Sequence, residues 1–345
     1  MGLERICEVY RERGLVLALG AGVSSGSGIP IWTALLERVA EVACHTDGPR
    51  LVSRLRGAGF SLPAIAAILE REYEEETEFR EVVREALYRD FPLRGKGGNP
   101  EAERELVAHT LDANTTLNAA AAFCAVPGED GAFVRNPRLH AIVNFNLDAL
   151  FSAFVLAKFK GKVHQERGLV LTVERATRAS TLDRVSVYHP HGYLRFETGS
   201  GGPEDALDQL IFTEHQYFDF YDNPYSSFSS TVMFLLREHP WLFVGLSMLD
   251  ENIRRLLHYS WKEHVQAAGE ERRKDPGKAT QPRHFALLAS SGDEELDRHQ
   301  QASLEPLGVE ILWLKSYEEI PACLRQIYEC SGEDWQTVIE AGRNA

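Results

Sequence analysis

Residues 15–32 read LVLALGAGVSSGSGIPIW, and this stretch decides the fold. Its first five residues, Leu15 to Leu19, are an apolar run without a helical period, bounded by glycines. Such a run predicts a strand buried on both faces, as in a parallel sheet. A glycine- and serine-rich loop follows, and then a segment with helical patterning. Strand, glycine loop and helix in this order place backbone N–H groups and a helix N-terminus where a pyrophosphate can bind.

The glycine loop differs from the standard nucleotide-binding patterns. A strict GxGxxG does not occur because Gly26 falls one position late, and no GxxxxGKS or GxxxxGKT sequence supplies a phosphate-binding lysine. ATP hydrolysis is therefore disfavoured. Gly20 and Gly22 would let the backbone approach a ligand closely, since they carry no Cβ. The alternative is a tight strand-to-helix turn that binds nothing.

Similar apolar runs recur along the chain and alternate with helical patterning, which predicts an α/β fold with a Rossmann-like parallel sheet. The longest interval between strand candidates has apolar residues at helical spacing and predicts a large helical insertion at residues 33–138. The nucleotide-binding domain then comprises residues 1–32 and 139–345. Loops are predicted at residues 92–100 and 197–205, and a solvated charged stretch at 270–283. The further strand candidates are residues 139–143, 185–188, 209–212, 241–244, 284–288 and 309–314.

Composition limits the class of protein. The net charge of −14 over 345 residues argues against direct nucleic-acid binding, which needs clustered Lys and Arg. No apolar run approaches the roughly 20 residues that cross a bilayer, and the first residues contain no signal-peptide core, so we expect a cytoplasmic protein. The cysteines are scattered, with no CxxC pair, which predicts reduced thiols rather than a disulfide framework or a zinc site. They are Cys7, Cys44, Cys124, Cys323 and Cys330.

Four segments resemble, in order, the motifs of the Sir2 family, which comprises the sirtuins and their bacterial Sir2-like relatives. GAGVSSGSGIPIW (residues 20–32) is similar to the family's glycine loop, and VNFNLDALF (143–151) to its QNID segment. VYHPHGYL (187–194) resembles the segment with the catalytic His-Gly, and LFVGLSMLD (242–250) the nucleotide loop that contains GTS. The resemblance therefore extends from about residue 15 to 250.

The resemblance implies an enzyme that breaks the bond between nicotinamide and ribose in NAD. It assigns Asp148 to the nicotinamide carboxamide, Asn146 to the ribose hydroxyls or the attacking water, and His191 to the general base. Independently, histidine suits a general base because its ordinary pKa is near 6.5. His189 lies on the same strand face but lacks the following glycine. The residues implied in NAD binding are Gly20, Ala21, Gly22, Ser24, Ile29, Pro30, Trp32, Gly245, Ser247 and Asp250.

Each candidate residue also has a structural interpretation. Asn146 could cap the helix that follows it, and Asp148 could interact with the dipole of the same helix. Ser247 and Asp250 could begin the next helix, which is compatible with a ribose contact. Tyr217, on a helical segment, is interpreted as a packing residue.

Two departures from the sirtuin pattern argue against protein deacylation. No cysteine lies between Cys124 and Cys323, so the sirtuin zinc module with its two CxxC pairs is missing and no metal is expected. IPIW also stands where the family has IPDFR. The resemblance then implies an NAD glycohydrolase that releases nicotinamide and ADP-ribose. The alternatives are a Sir2-type deacylase or ADP-ribosyltransferase, and a non-catalytic nucleotide-binding scaffold.

Relatives of this kind act in bacterial defence against phage by depleting NAD, which implies an activity that must be restrained. The catalytic fold and helical insertion nearly use up the chain, so we expect control through assembly. The resemblance implies a homo-oligomer and, as a partner, a HerA-type hexameric ATPase or a short Argonaute. The charged helix faces within residues 33–138 are the expected contact surface, unless they are simply solvated.

Overall fold

The centre of the computed structural model is a sheet of seven parallel strands in the order β5-β6-β4-β1-β7-β8-β9. The model describes residues 2–44, 47–91, 107, 111–129, 131–159, 168–173, 183–196, 210–222, 227–274 and 282–341. The strands of this sheet are β1 (Leu15–Leu19), β4 (Leu139–Asn144), β5 (Val170–Val173), β6 (Val185–Tyr188), β7 (Trp241–Val244), β8 (His284–Ala289) and β9 (Val309–Leu314). A separate antiparallel pair consists of β2 (Ala125–Pro127) and β3 (Phe133–Arg135).

Helices cover both faces of the sheet, which confirms the predicted α/β class with a Rossmann-like parallel sheet. The helices before β4 are α1 (Gly2–Arg13), α2 (Ala21–Ser24), α3 (Trp32–Ala43), α4 (Gly48–Gly57), α5 (Leu62–Glu70), α6 (Glu76–Leu87) and α7 (Thr115–Ala122). The later ones are α8 (Leu150–Lys158), α9 (Glu214–Asp222), α10 (Ser227–Glu238), α11 (Glu251–Lys274), α12 (Glu294–Leu304), α13 (Ile320–Glu329) and α14 (Trp335–Ile339). Among the described helices, none is both long and apolar enough to cross a membrane.

Strand β1 lies at the centre because every one of its residues is apolar and buried. Its side chains alternate between two cores, as the period of a strand requires. Leu15, Leu17 and Leu19 pack into the core that contains the helical segment. Val16 and Ala18 pack into the second core, which contains α10 and α11.

Six of the seven predicted strands are confirmed, and the one at residues 209–212 is wrong. Residues 210–212 are buried but belong to no strand. Their N–H groups find other partners: that of Ile211 donates to the carbonyl of His191 at 2.9 Å, and that of Phe212 to Oε1 of Gln216 at 2.9 Å. The segment is apolar because it is buried, although it pairs with no strand, and its apolar sequence therefore led to a wrong strand prediction. Strands β2, β3 and β5 were not predicted.

The stretch at residues 33–138 is helical as predicted, with helices α3 to α7, and it also contains the β2–β3 pair. Its buried side chains form one core with the sheet face that carries Leu15 and Leu17. The predicted domain boundaries at residues 32 and 139 stay predictions. The predicted loops at 92–100 and 197–205 lie outside the described residues, as does most of 275–283.

One disulfide corrects the prediction that all cysteines are reduced. Cys7 of α1 and Cys330, which follows α13, are bonded, with 5.6 Å between their Cα atoms. Helices α1 and α13 pack together and bring these distant residues into range, which spacing in the sequence could not indicate. Cys44, Cys124 and Cys323 are free thiols.

We expect reduction of the Cys7–Cys330 bond to lower the free energy of unfolding by roughly 2–5 kcal/mol, because the link closes nearly the whole chain into a loop. Urea unfolding with and without dithiothreitol measures the effect. Cys330→Ser should reproduce it without reductant, whereas Cys44→Ser should leave the dependence on reductant intact. An oxidised protein no more stable than the reduced one would contradict the prediction.

Candidate functional site

The candidate site lies at the carboxyl edge of the sheet, where β1, β4, β6 and β7 end next to one another. From β1 the chain first builds one half of the sheet and then returns to β7, on the other side of β1, to build the second half. Parallel sheets bind ligands in the crevice at such a reversal of strand order. Each of the motifs singled out in the sequence follows one of these four strands.

The first and last of these loops touch through their backbones. The N–H of Gly20 donates to the carbonyl of Val244 at 2.9 Å, and the N–H of Gly22 donates to the carbonyl of Gly245 at 3.0 Å. A Cβ on Gly20 would lie 2.5 Å from the Gly245 oxygen, and one on Gly22 would lie 2.9 Å from the Gly245 Cα. The two glycines therefore permit contact between two protein loops. Their predicted role in binding a ligand stays a prediction.

Three buried polar side chains meet beneath the glycine loop: Ser24, Asn146 and Asp148. The Asn146 Nδ2 lies 3.4 Å from the Ser24 Oγ, to which it donates, and the Ser24 side chain is hydrogen-bonded to Asp148. The Oδ1 of Asn146 has no hydrogen-bond partner among the described residues, and neither has the Nδ2 of Asn144. Buried polar atoms of folded proteins rarely stay unsatisfied, so such atoms mark a place for a polar ligand.

The capping interpretations of Asn146 and Asp148 have different outcomes. Helix α8 has Ala149 rather than Asn146 at its N-cap, so the capping role of Asn146 is wrong. The Oδ1 of Asp148 does accept from the N–H of Leu150, the first residue of α8, at 3.0 Å. Asp148 thus serves the helix start while its carboxyl group also contacts Ser24.

Burial raises the pKa of Asp148 to about 6, against the lowering effect of its hydrogen bonds with Ser24 and with the backbone N–H of Leu150. A carboxyl group with this pKa carries a proton in a large fraction of molecules near pH 6. It can then donate a hydrogen bond as well as accept one. This suits an amide ligand, which offers both an acceptor oxygen and donor hydrogens.

His191 is buried between the end of β4 and helix α9. Its ring lies 5.5 Å from the ring of Phe145 and 5.2 Å from that of Tyr217, in both cases edge to face. Burial lowers the pKa of His191, opposed by the nearby Asp250 carboxylate and by a hydrogen bond with the backbone of Phe145. The imidazole is therefore neutral at pH 7 and can accept a proton. The ring of His189 instead lies against Tyr193, at 4.6 Å.

An aromatic cluster joins His191 to the end of the first motif. Trp32, the first residue of α3, lies 5.3 Å from the ring of Phe212 and 6.2 Å from that of Tyr217, and Tyr217 contacts His191. The Nε1 of Trp32 is buried without a partner among the described residues. Ile29 and Pro30 are buried beside it in the sequence. Tyr217 packs, as predicted, but it packs on the candidate base.

The remaining candidates lie on the loop after β7. Asp250 begins helix α11 by accepting from the N–H groups of Asn252 and Ile253, at 2.8 and 3.1 Å, while its charge acts on His191. The Oγ of Ser247 accepts only weakly from the N–H of Leu249, at 3.4 Å, and its side chain is exposed. Between them Met248 has a φ of 59°, the left-handed region that non-glycine residues rarely adopt. Asp250 thus begins the helix, as its structural interpretation predicted, whereas Ser247 bonds to Leu249, which precedes α11.

The structure therefore brings Ser24, Asn146 and Asp148 into contact, with His191 connected through Phe145. Among the described residues, Ala21 and Ser247 make no hydrogen bond with these three side chains, and the Ser27 Oγ accepts from the Asn114 Nδ2 at 3.0 Å. Sequence reasoning missed Tyr88, whose hydroxyl contacts two of the loops. It also missed Asn144, whose Oδ1 accepts from the N–H of Asn146 at 3.1 Å.

We expect Asp148→Asn to raise the free energy of unfolding above pH 6, by up to about 3 kcal/mol. The folded pKa of about 6 exceeds the unfolded value, so the native state binds the extra proton and wild-type stability falls as pH rises from about 4 to 6. Asparagine keeps an acceptor for Leu150 without the charge. Urea unfolding at several pH values measures the difference, which should vanish near pH 4. A constant difference across this range would contradict the raised pKa.

We expect Gly245→Ala to destabilise the protein by about 1–3 kcal/mol more than Gly332→Ala does. Both glycines have positive φ, 68° and 85°, but only at Gly245 would a Cβ collide, 2.7 Å from the Val23 nitrogen. No atom lies within 4 Å of a Cβ at Gly332, so this variant reports the backbone strain alone. Urea midpoints give both values, and equal losses would show that the two loops do not depend on close contact.

Comparison with protein families relates the chain to a known family. The family model described as SIR2-like domain matches residues 140–312, which is just over half of the 345-residue chain. The match includes the loops with Asn146, His191 and Asp250. The glycine loop lies before the matched residues and follows β1, which pairs with β4 and β7. A search of curated proteins gives no match. Membership of this family is compatible with an enzyme that uses NAD. The chain belongs to the SIR2-like family.

Proposed function

We propose that this protein is an NAD glycohydrolase, which hydrolyses NAD to nicotinamide and ADP-ribose. The observation that carries the proposal is the buried group formed by Ser24, Asn146 and Asp148, in which the Asn146 Oδ1 has no partner among the described residues. The neutral His191 contacts Phe145, which directly precedes Asn146. The SIR2-like family match over the loops that hold three of these four residues supports the choice of NAD.

The reaction breaks the bond between the ribose C1′ and the nicotinamide nitrogen and adds water at C1′. Nicotinamide leaves as a neutral molecule with the bonding electron pair, the water oxygen bonds to C1′, and one proton is released. The site must therefore hold the carboxamide, position the water or the ribose hydroxyls, and accept that proton. No nucleophilic side chain is needed for this sequence of events.

Each residue has a property that fits one of these tasks. Asp148, with a pKa near 6, can exchange hydrogen bonds with a carboxamide. The free Oδ1 of Asn146 can accept from a ribose hydroxyl or from water. His191, neutral and polarised by Asp250, can take the proton. Trp32 and Tyr217 form an apolar wall next to His191 that would limit access of bulk water.

Water is the proposed acceptor because the chain lacks what a sirtuin uses to bind an acylated lysine. No cysteine lies between Cys124 and Cys323, so the four-thiolate zinc module beside the sirtuin peptide channel cannot form there. IPIW in place of IPDFR removes the phenylalanine–arginine pair that follows the glycine loop in deacylases. Both features support hydrolysis over transfer to a peptide.

We further propose that the activity serves bacterial defence against phage and is controlled by assembly, as a homo-oligomer or with a HerA-type ATPase; a short Argonaute is the alternative partner. The support is the resemblance to Sir2-like effectors. The helices of residues 33–138 present charged side chains such as Arg54, Arg56 and Glu85 to solvent, which suits a polar contact surface.

The test is to incubate the purified protein with NAD, alone and together with a co-expressed candidate partner, and to measure nicotinamide and ADP-ribose. Asn146→Ala and His191→Ala should each lower kcat by at least about 100-fold, the scale for losing a substrate positioner or a general base. Two variants are matched controls: Asn136→Ala removes an equally buried asparagine at the other end of the sheet, and His189→Ala removes a buried histidine two residues away. Both should keep turnover within a few-fold once melting curves confirm folding.

Other results would overturn the proposal. Turnover at the wild-type rate in both site variants would remove Asn146 and His191 from the reaction. Product formed only when an acetyl-lysine peptide is added would indicate a deacylase. Tight binding of NAD without turnover, with or without a partner, would indicate a nucleotide-binding scaffold.

A further inference from the structure

We infer that Tyr88 is a positioning residue, which holds the loop of Asn146 and Asp148 in register with the loop of His191. This inference rests on the proposed function, since it concerns the same site. Tyr88 comes from the helical segment, directly after α6, and nothing in the four motifs includes it. Its side chain is 1% exposed and reaches between the ends of β4 and β6.

The Tyr88 hydroxyl connects the two loops through one atom. It donates to the carbonyl of Leu194 at 2.5 Å and accepts from the N–H of Ala149 at 3.0 Å. Ala149 follows Asp148 directly, and Leu194 lies three residues after His191. Among the described residues, no other side chain is hydrogen-bonded to the backbones of both loops.

A second contact between the loops makes the hydroxyl part of a small network. The N–H of Leu194 donates to the carbonyl of Leu147 at 2.7 Å, and Asp148 and Leu194 form an isolated parallel bridge. Leu194 is therefore bonded on both sides, to Leu147 by its N–H and to Tyr88 by its carbonyl. One direct backbone bond fixes the spacing of the loops, and the tyrosine fixes their relative rotation.

Aromatic packing orients the tyrosine itself. Its ring lies 5.8 Å from that of Phe91 and 6.0 Å from that of Phe196, and the latter two are 5.3 Å apart. Phe196 lies further along the His191 loop. Tyr88 therefore contacts this loop at two points, the Leu194 carbonyl and the Phe196 ring. Burial and the neighbouring Asp148 carboxyl group raise the pKa of Tyr88 well above its ordinary value, which keeps the hydroxyl protonated and able to donate.

Loss of the Tyr88 hydroxyl would change the relative position of the two loops. Without the hydroxyl, the Leu194 carbonyl and the Ala149 N–H lose their partner inside the protein, and either the loops shift or water enters. Asn146 and His191 keep their own contacts but lose a fixed distance from each other. A displacement of about 1 Å between reacting groups can cost on the order of 100-fold in rate.

The experiment compares Tyr88→Phe with Tyr328→Phe. Tyr328 is a matched control because it too is fully buried and donates to a backbone carbonyl, that of Ala125, at 2.8 Å, away from the carboxyl edge. Amide hydrogen exchange in the full chain without NAD is the first readout. Tyr88→Phe should speed exchange at Ala149 and Leu194 by at least about tenfold, while Tyr328→Phe leaves both amides unchanged.

The second readout is the kinetics of NAD hydrolysis. Tyr88→Phe should lower kcat by about 10- to 100-fold with KM within about threefold, since the glycine loop and the β7 loop stay intact. Tyr328→Phe should leave both constants within about twofold. Unchanged exchange at the two amides, or an unchanged kcat in an active protein, would overturn the role of Tyr88. A wild-type protein that hydrolyses no NAD, either alone or with its partner, would overturn the proposed function. The exchange readout would still decide whether Tyr88 joins the loops.

Discussion

The peptide groups at the carboxyl ends of the central strands must find hydrogen-bond partners after the strand ladder stops, and the rest of the site depends on how they do. Buried backbone groups are expensive to leave unpaired. Here the loops satisfy one another: Gly22 donates to Gly245, and Leu194 donates to Leu147. Segments that are far apart in the chain thereby acquire fixed positions at one edge of the sheet, before any side-chain chemistry is considered.

The polar side chains of the site are less fully hydrogen-bonded than these backbone groups. The Ser24 side chain is hydrogen-bonded to Asn146 and to Asp148. The Oδ1 of Asn146 and the Nδ2 of Asn144 have no hydrogen-bond partner among the described residues. An unsatisfied buried group costs about 1–3 kcal/mol. A ligand that hydrogen-bonds with these two side-chain atoms would offset that cost. Violations of ordinary folding rules are expected at functional sites.

The elements that could be predicted from sequence are those whose signal is local. Strands such as β1 and β7 are continuous apolar runs because both of their faces are buried. The run at residues 209–212 carries the same signal and is still a loop, since the carbonyl of His191 and the side chain of Gln216 replace a neighbouring strand. Composition alone cannot distinguish these two ways of burying an apolar segment.

Among the candidate site residues, too, those with a local sequence signal could be predicted and the others could not. Asn146, Asp148 and His191 could be singled out because each belongs to a short motif, although the motifs do not reveal which of them meet. The glycine motif also did not indicate that Leu246 and the Gly245 backbone approach Gly20 closely, since a glycine reports only that some group lies near. Tyr88 and the Cys7–Cys330 bond could not be predicted, since both depend on how helices pack against distant segments.

The helical segment and the first strand belong to the site as much as the matched residues 140–312 do. Strand β1 is hydrogen-bonded to β4 on one side and to β7 on the other, so without it these two strands would each lose a neighbour and the sheet would divide. Ser24 follows this strand, and the hydroxyl between the two central loops comes from Tyr88, at the end of α6. A change in the packing of α6 therefore acts on the Asn146 and His191 loops through defined hydrogen bonds. Any partner that binds the helical segment would have a direct structural route to the site.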